Sequence, residues 1–122
     1  MGQDRRILSA KEHWAGRMVT NGVPLADFLD VTTHVNAWKD WCKTWTKKGD
    51  LHQKLGNEAI SGNKTISAAE HYRTAAVCYH FGRFLFVDFP EEMRAAHVKS
   101  VQCYNKALPF FNPSGTRLSI PY

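Results

Sequence analysis

Six histidines, three cysteines and a group of tryptophans are the side chains with the most chemical potential in the sequence. His80 directly follows Tyr79, so an imidazole and a phenol could donate hydrogen bonds to a carbonyl or phenol oxygen of a substrate. Trp38, Trp41 and Trp45 recur at helical spacing and could stack on a flat substrate. We predict these residues as substrate-pocket candidates, with a packed core as the alternative for each of them.

No complete catalytic or metal-binding set occurs in the sequence. Glu70 and His71 are neighbours, but Glu70 has a predicted helix-capping role, which argues against an acid–base pair. The histidines show no His-x-x-x-His spacing and the cysteines no Cys-x-x-Cys, so we predict no metal site and no cofactor. We also predict no catalytic residue in this chain.

Length, composition and charge are those of one globular domain. The 122 residues are 43% hydrophobic and carry a formal net charge of +5. Lys39, Lys43 and Lys47 lie four apart, so they would share one helix ridge that could meet phosphate. The pattern favours a solvated helix face, and nucleic-acid binding is only a third hypothesis.

The cysteines and the amino terminus indicate a reducing, aqueous compartment. Cys42, Cys78 and Cys103 are widely separated and odd in number, which argues against a disulfide scaffold. Residues 1–6 lead into no apolar leader, and no apolar run approaches membrane-spanning length. We therefore expect a cytoplasmic protein that has no membrane partner.

Capping boxes and apolar periodicity predict an all-α bundle of about four to five helices. Ser9 with Glu12 and Ser67 with Glu70 are capping boxes, in which the hydroxyl and the carboxylate satisfy backbone amides at a helix start. Pro24 suits the first turn of a short helix. Small and aromatic residues on most sides of the segment 67–87 predict a central helix. The other helices are predicted over 9–20, 36–59 and 88–108.

The end of the chain has the pattern of a β-strand. Thr116–Tyr122 alternates polar and apolar side chains, and a strand without a partner leaves its backbone groups unsatisfied. We therefore predict a helical domain over 1–110, followed over 111–122 by a linker and the first strand of a missing domain. On this interpretation the chain is a fragment or a truncated gene product.

Several blocks of the sequence resemble the amino-terminal helical region of one α/β-hydrolase group. The blocks are 38–45, 67–72 and 79–87, with shorter matches at 95–97 and 120–122, and the block that begins at Tyr79 is the most specific. The group includes 2,6-dihydroxypseudooxynicotine hydrolase, related carbon–carbon bond hydrolases and esterases, fungal polyketide-shortening hydrolases and, more distantly, the fermentation-respiration switch protein.

The resemblance implies a helical cap over a catalytic domain whose sheet begins with a strand like Leu118–Tyr122. In such proteins a serine on a Gly-x-Ser-x-Gly elbow works with an aspartate and a histidine, and no such elbow occurs here. The chain alone should therefore be inactive, and it would bind an aromatic or polyketide-like substrate only together with the missing domain. Arg83, Phe84 and Phe86 are interface candidates, and apolar side chains left open predict self-association into a homo-oligomer.

A tetratricopeptide-like module that binds peptides without catalysis is the alternative. Ala69, Tyr72, Ala76 and Tyr79 on one helix, flanked by helices with tryptophan and glycine at similar spacing, resemble such a helix pair. A repeat of about 34 residues is not found, because the tryptophan-rich helix and the Ala/Tyr helix do not align as copies. The resemblance to the hydrolase cap is therefore the leading interpretation.

Overall fold

The computed structural model describes residues 2–122, which form a bundle of five α-helices. The helices are Arg5–Thr20 (α1), Leu25–His34 (α2), Trp41–Ser61 (α3), Thr65–Arg83 (α4) and Pro90–Ala107 (α5). Short 3₁₀ turns precede α3 at Trp38–Asp40 and follow α5 at Leu108–Phe110. Residues 2–122 contain no strand, and the predicted all-α class is confirmed.

Helix α4 is the central element, as its wide apolar surface predicted. It packs against α3 on one side and against α5 on another, and these are the two largest helix contacts of the bundle. Helices α1 and α2 form a smaller pair that covers the end of the bundle where α3 begins. The position of α4 therefore determines which residues of α3 and α5 its side chains contact.

Glycine notches on α3 receive tyrosine rings from α4. A Cβ atom added at Gly49 would lie 2.6 Å from the ring of Tyr79, and one added at Gly56 would lie 2.7 Å from the ring of Tyr72. The two contacts occur in opposite order along the two helices, so α3 and α4 are antiparallel. Tyr79 is also held at its far end, because its hydroxyl donates to Asp50 Oδ1 over 2.5 Å.

Large aromatic side chains fill the other end of the core. Trp38, Trp41 and Trp45 are all buried, with Trp38 and Trp41 stacked at 5.2 Å and Trp41 and Trp45 edge to face at 5.9 Å between ring centroids. Trp41 Nε1–H donates to the carbonyl oxygen of Phe81 over 3.0 Å, which ties α3 to the end of α4. A buried indole N–H usually finds such a partner, but Trp45 Nε1–H is buried and has none among residues 2–122.

Helix α1 starts earlier than the capping box at Ser9 predicted. Asp4 is its N-cap, and the Asp4 carboxylate accepts from the backbone N–H of Arg6 over 2.8 Å. Aspartate caps a helix about as well as serine does, and the buried side chains of Ile7 and Ala10 continue the apolar face upstream. The predicted cap at Ser9 is therefore wrong, and Ser9 lies within the helix.

Helix α4 also starts before its predicted cap at Ser67. Its N-cap is Lys64, which makes no side-chain capping bond. The reason lies in the turn from α3, where Asn63 has a left-handed φ of 57° and the backbone N–H of Lys64 donates to the carbonyl oxygen of Ala59 over 2.8 Å. This tight turn ties the start of α4, at Thr65, to the end of α3.

The segment between α4 and α5 is not helical, although the central helix was predicted to reach Val87. Helix α4 ends at Arg83, and Leu85 has a left-handed φ of 62° that a helix cannot contain. Pro90 occupies the first turn of α5, as proline geometry requires, but the predicted cap Asp88 makes no capping bond. Asp88 instead lies 3.3 Å from Arg6 Nη1.

The C-terminal strand is not formed in the structure. Residues 116–122 have no regular secondary structure, and the side chains of Leu118 and Ile120 are about three-quarters exposed, at 75% and 76%. The alternating pattern is local, but a strand also needs a neighbouring strand to take up its backbone hydrogen bonds. None lies beside this segment in the part of the chain that the structure describes, so the predicted strand is not observed.

The Gly49 notch predicts opposite effects for two glycine substitutions. Gly49→Ala should lower the free energy of unfolding by about 1–3 kcal/mol, because its methyl group collides with a buried ring that a hydrogen bond holds in place. The matched control is Gly16→Ala in α1, which has nothing within 4 Å and should gain about 0.5–1 kcal/mol. Urea unfolding followed by circular dichroism measures both. Equal effects of the two substitutions would contradict the close contact between Gly49 and the ring of Tyr79.

Candidate functional site

A groove of about 330 Å³ runs between α4 and α5. Its wall on α4 carries a predicted pocket residue, His80, and a predicted interface residue, Arg83. Its lining consists of Ala76, Val77, His80 and Arg83 on α4 and of His97, Ser100, Val101, Tyr104 and Asn105 on α5. The groove therefore combines aliphatic side chains with three nitrogen-bearing side chains, His80, Arg83 and His97, which suits a small organic ligand that has an apolar body and an oxygen acceptor.

His80 and Arg83 form a hydrogen-bonded pair in this groove. Arg83 Nη2 donates to His80 Nδ1 over 3.2 Å. Burial, helped by the positive charges of Arg83 and His97, lowers the pKa of His80 from its usual value of 6.5. The ring is therefore neutral at pH 7, and because Nδ1 accepts, its proton is on Nε2. Arg83 Nε–H is buried and has no hydrogen-bond partner among residues 2–122.

The groove can recognise a ligand but holds no nucleophile paired with a base. The Ser100 hydroxyl donates to the carbonyl oxygen of Ala76 over 2.7 Å, so it joins α5 to α4 and is not activated by a histidine. The N–H groups of His80 and Arg83 can donate to a carbonyl, carboxylate or phenolate oxygen, while Val77 and Val101 offer apolar contact. The lining thus offers hydrogen-bond donors and apolar contacts but no activated nucleophile.

The other predicted pocket residues lie inside the core of this chain. Trp41, Trp45 and Tyr79 are each at most 1% exposed. The Tyr79 hydroxyl lies within hydrogen-bond distance of Asp50 Oδ1 and, at 3.1 Å, of Gln53 Oε1. Burial and the nearby Asp50 carboxylate raise the pKa of Tyr79 well above its ordinary value. These rings support the walls of the bundle, and their contact with a substrate stays a prediction.

A second hollow, of about 320 Å³, contains the remaining predicted pocket residue, Trp38. It lies between α1 and the segment 84–89 and is lined by Arg6, Ser9, Ala10, Trp14, Trp38, Leu85, Val87 and Asp88. Leu85 is 50% exposed and Val87 is 68% exposed at its edge. This apolar edge lies within the sequence block that carries the resemblance.

The predicted interface residues Phe84 and Phe86 pack within the chain. Phe84 is half-buried and lies edge to face on Trp14, with ring centroids 5.2 Å apart. Phe86 is fully buried between Trp38 at 5.9 Å and Phe89 at 4.9 Å. Neither ring projects freely from the surface, and their roles at an interface stay predictions.

The residues that could hold a metal ion are Asp27, His52 and Cys78, on α2, α3 and α4. One possible ligand atom from each lies within 4.8 Å of the others. Sequence reasoning missed this cluster, because it looked for ligands at short spacing on one segment. Each of the three helices carries other potential ligands as well, such as Asp30, Cys42 and His71, so no local signal singled out this set.

Residues 2–122 form a helical bundle with a groove between α4 and α5, and no complete catalytic set is found among them. The chain is 24% identical over 104 residues to a 2,6-dihydropseudooxynicotine hydrolase from Paenarthrobacter nicotinovorans. The match covers 84% of this chain but only 27% of that protein, so the chain spans about a quarter of the relative's length. The similarity establishes a distant relationship to a hydrolase.

No protein-family model matches the chain, and no solved structure matches it at a significant level. Within residues 2–122, no helix is both long and apolar enough to cross a membrane. The relationship to the hydrolase therefore rests on the sequence similarity over 104 residues.

The lowered pKa of His80 predicts how this residue titrates. Arg83→Gln should raise the pKa of His80 towards 6.5, because it removes a neighbouring positive charge. Arg73→Gln, on the exposed side of the same helix, should leave it unchanged. The pKa is read from the imidazole signals of His80 in an NMR titration. A parent value at or above 6.5, or no difference between the two variants, would contradict the assignment.

The same shift has a consequence for stability. A histidine whose pKa is lower in the folded state binds its proton more readily when unfolded, so stability is lost as the pH falls from about 6.5 through the lowered pKa. In Arg83→Gln the loss attributable to His80 should be smaller. Urea midpoints measured across this pH range, with Arg73→Gln as the control, would test the effect.

Proposed function

We propose that this chain is the cap and substrate-recognition part of a serine-dependent α/β-hydrolase whose catalytic triad lies outside these 122 residues. The proposed reaction is the hydrolysis of a carbon–carbon bond or an ester in an aromatic or polyketide-like substrate. The observation that carries the proposal is the similarity over 104 residues to a hydrolase that is much longer than this chain.

The contents of the sequence support a role in recognition. Hydrolysis by a serine triad requires a nucleophile on a sharp elbow, a base and an oxyanion hole, and the printed sequence has no Gly-x-Ser-x-Gly elbow. A cap domain contributes in another way: it excludes water and holds the substrate against the catalytic groups. Both tasks require shape and a few directed hydrogen bonds.

The groove between α4 and α5 supports the proposed substrate class. Its aliphatic side chains suit an aromatic or polyketide body, and His80 Nε2–H with the guanidinium group of Arg83 suits a carbonyl or phenolate oxygen. Because the pKa of His80 is lowered, the ring stays neutral near pH 7 and donates from one defined nitrogen. Arg83 supplies the positive charge for an anionic substrate group.

The segment 84–89 supports docking on a catalytic domain. Leu85 and Val87 expose apolar side chains beside the hollow that contains Trp38, and Leu85 holds a left-handed backbone conformation. Strained residues of this kind persist where the surrounding structure or a partner requires them. Without such a partner, the same apolar edge would favour association between copies of the chain.

The test compares this chain with the polypeptide encoded from Met1 through Tyr122 and onward to the first stop codon. Both are assayed on an aryl ester and on a vinylogous β-diketone, with and without a serine-directed sulfonyl fluoride. We expect no turnover by the 122-residue chain and inhibitor-sensitive turnover by the longer one. Turnover by the short chain, or an extension that lacks a Gly-x-Ser-x-Gly elbow, would defeat the proposal.

Substitutions in the longer polypeptide test the groove. His80→Ala and Arg83→Ala should each raise KM roughly two- to tenfold, the effect of losing one hydrogen bond to a bound substrate. Arg73→Ala is the matched control, because Arg73 lies on α4 but does not line the groove. Circular dichroism checks that each variant folds. KM values that are equal in all three variants would place substrate recognition elsewhere.

A further inference from the structure

We propose that Asp27, His52 and Cys78 form a binding site for a zinc ion. The three residues lie on α2, α3 and α4, and one possible ligand atom from each is within 4.8 Å of the others. Zinc bonds to sulfur, nitrogen and oxygen are about 2.0–2.3 Å long, so ligand atoms around a tetrahedral ion are roughly 3.3–3.8 Å apart. His52 Nε2 and Asp27 Oδ2, which are 2.6 Å apart, would have to separate to reach that spacing, and any pair near the 4.8 Å limit would have to move closer.

The position of His52 shows how the ion would be held. Its Nε2 lies 2.6 Å from Asp27 Oδ2, while its Nδ1 is buried and has no partner among residues 2–122. An ion held by Nε2 and Asp27 Oδ2 would replace the hydrogen bond between these two atoms, and Nδ1, on the other side of the ring, would take no part in the site. The side chains of His52 and Asp27 are each 15% exposed, which leaves an entry path for an ion.

The net charge around the cluster is negative, which favours binding of a cation. Lys48 Nζ lies 2.7 Å from Asp30 Oδ2 and 3.9 Å from Asp27 Oδ1, so one ammonium group faces two carboxylates. The surplus is one negative charge. A divalent ion that displaces the thiol proton of Cys78 into solvent would bring the sum of these groups to zero: two carboxylates and a thiolate against one ammonium and the ion.

The ligand chemistry favours zinc over the other common divalent ions. Magnesium and calcium prefer oxygen ligands, whereas one thiolate, one imidazole and one carboxylate suit zinc. Three protein ligands leave a fourth position, which water can occupy from the partly exposed side. The ion would join α2 to the α3–α4 pair, and α2 otherwise makes a much smaller contact with that pair than α3 and α4 make with each other.

Cobalt substitution provides the test, because thiolate-bound Co²⁺ has a charge-transfer absorption that surface sites without sulfur lack. The reduced, chelator-treated chain is titrated with Co²⁺ and then with Zn²⁺. We expect saturation at one Co²⁺ per chain, loss of the absorption when Zn²⁺ is added, and a Tm that rises with Zn²⁺ concentration. Absence of the absorption together with a Tm that does not respond to Zn²⁺ would overturn the proposal.

Variants identify the ligands. Cys78→Ser should abolish the charge-transfer absorption, and Asp27→Asn and His52→Gln should each weaken binding about tenfold or more. The double variant Cys42→Ser/Cys103→Ser changes the other two buried thiols and should retain the absorption. Because Cys78→Ser alters a fully buried position, Asp27→Asn serves as the second ligand variant, and circular dichroism checks the fold of each. An absorption that persists in folded Cys78→Ser would refute the site.

Discussion

The seating of tyrosine rings in glycine notches between α3 and α4 is the contact on which the other features depend. Gly49 and Gly56 have no side chain, so the rings of Tyr79 and Tyr72 approach the α3 backbone more closely than any Cβ atom would permit. Two such contacts along one antiparallel helix pair determine both the distance between the helices and their register. Because the rings are buried and rigid, the register cannot shift by a turn without emptying both notches.

Once that register is set, each face of α4 has a defined neighbour. Cys78 faces α3 and α2, where His52 and Asp27 lie close to it. His80 and Arg83 face α5, and the bond from the Ser100 hydroxyl to the Ala76 carbonyl holds the two walls of the groove together. The groove and the cluster of possible metal ligands are thus separate consequences of how one helix is packed.

The two hollows differ in the side chains that line them. The groove between α4 and α5 has directed N–H donors and aliphatic walls, which are features of ligand recognition. The hollow at Trp38 has an apolar edge with a left-handed Leu85, which are features of a docking surface. Under the proposed function, one surface would contact the substrate and the other the catalytic domain.

The sequence by itself determined the helical class and the central position of the Ala- and Tyr-rich helix, and it singled out His80 as a pocket candidate. These features are local or belong to one block of residues, and helical periodicity reports them directly. Helix starts were less predictable: the Asp4 cap and the turn at Asn63 competed with the capping boxes and prevailed. The strand predicted near Tyr122 was not observed, since alternation describes one strand and a sheet needs two.

Only the tertiary structure decided which side chains meet across helices. It buried Trp41 and Trp45 in the core, paired His80 with Arg83 and brought Asp27, His52 and Cys78 together from three helices. The spacing of residues along a chain shows which face of a helix they share, but the partner of that face depends on packing register and close approach. Those are set by the fit of rings and notches between helices, which local sequence patterns do not encode.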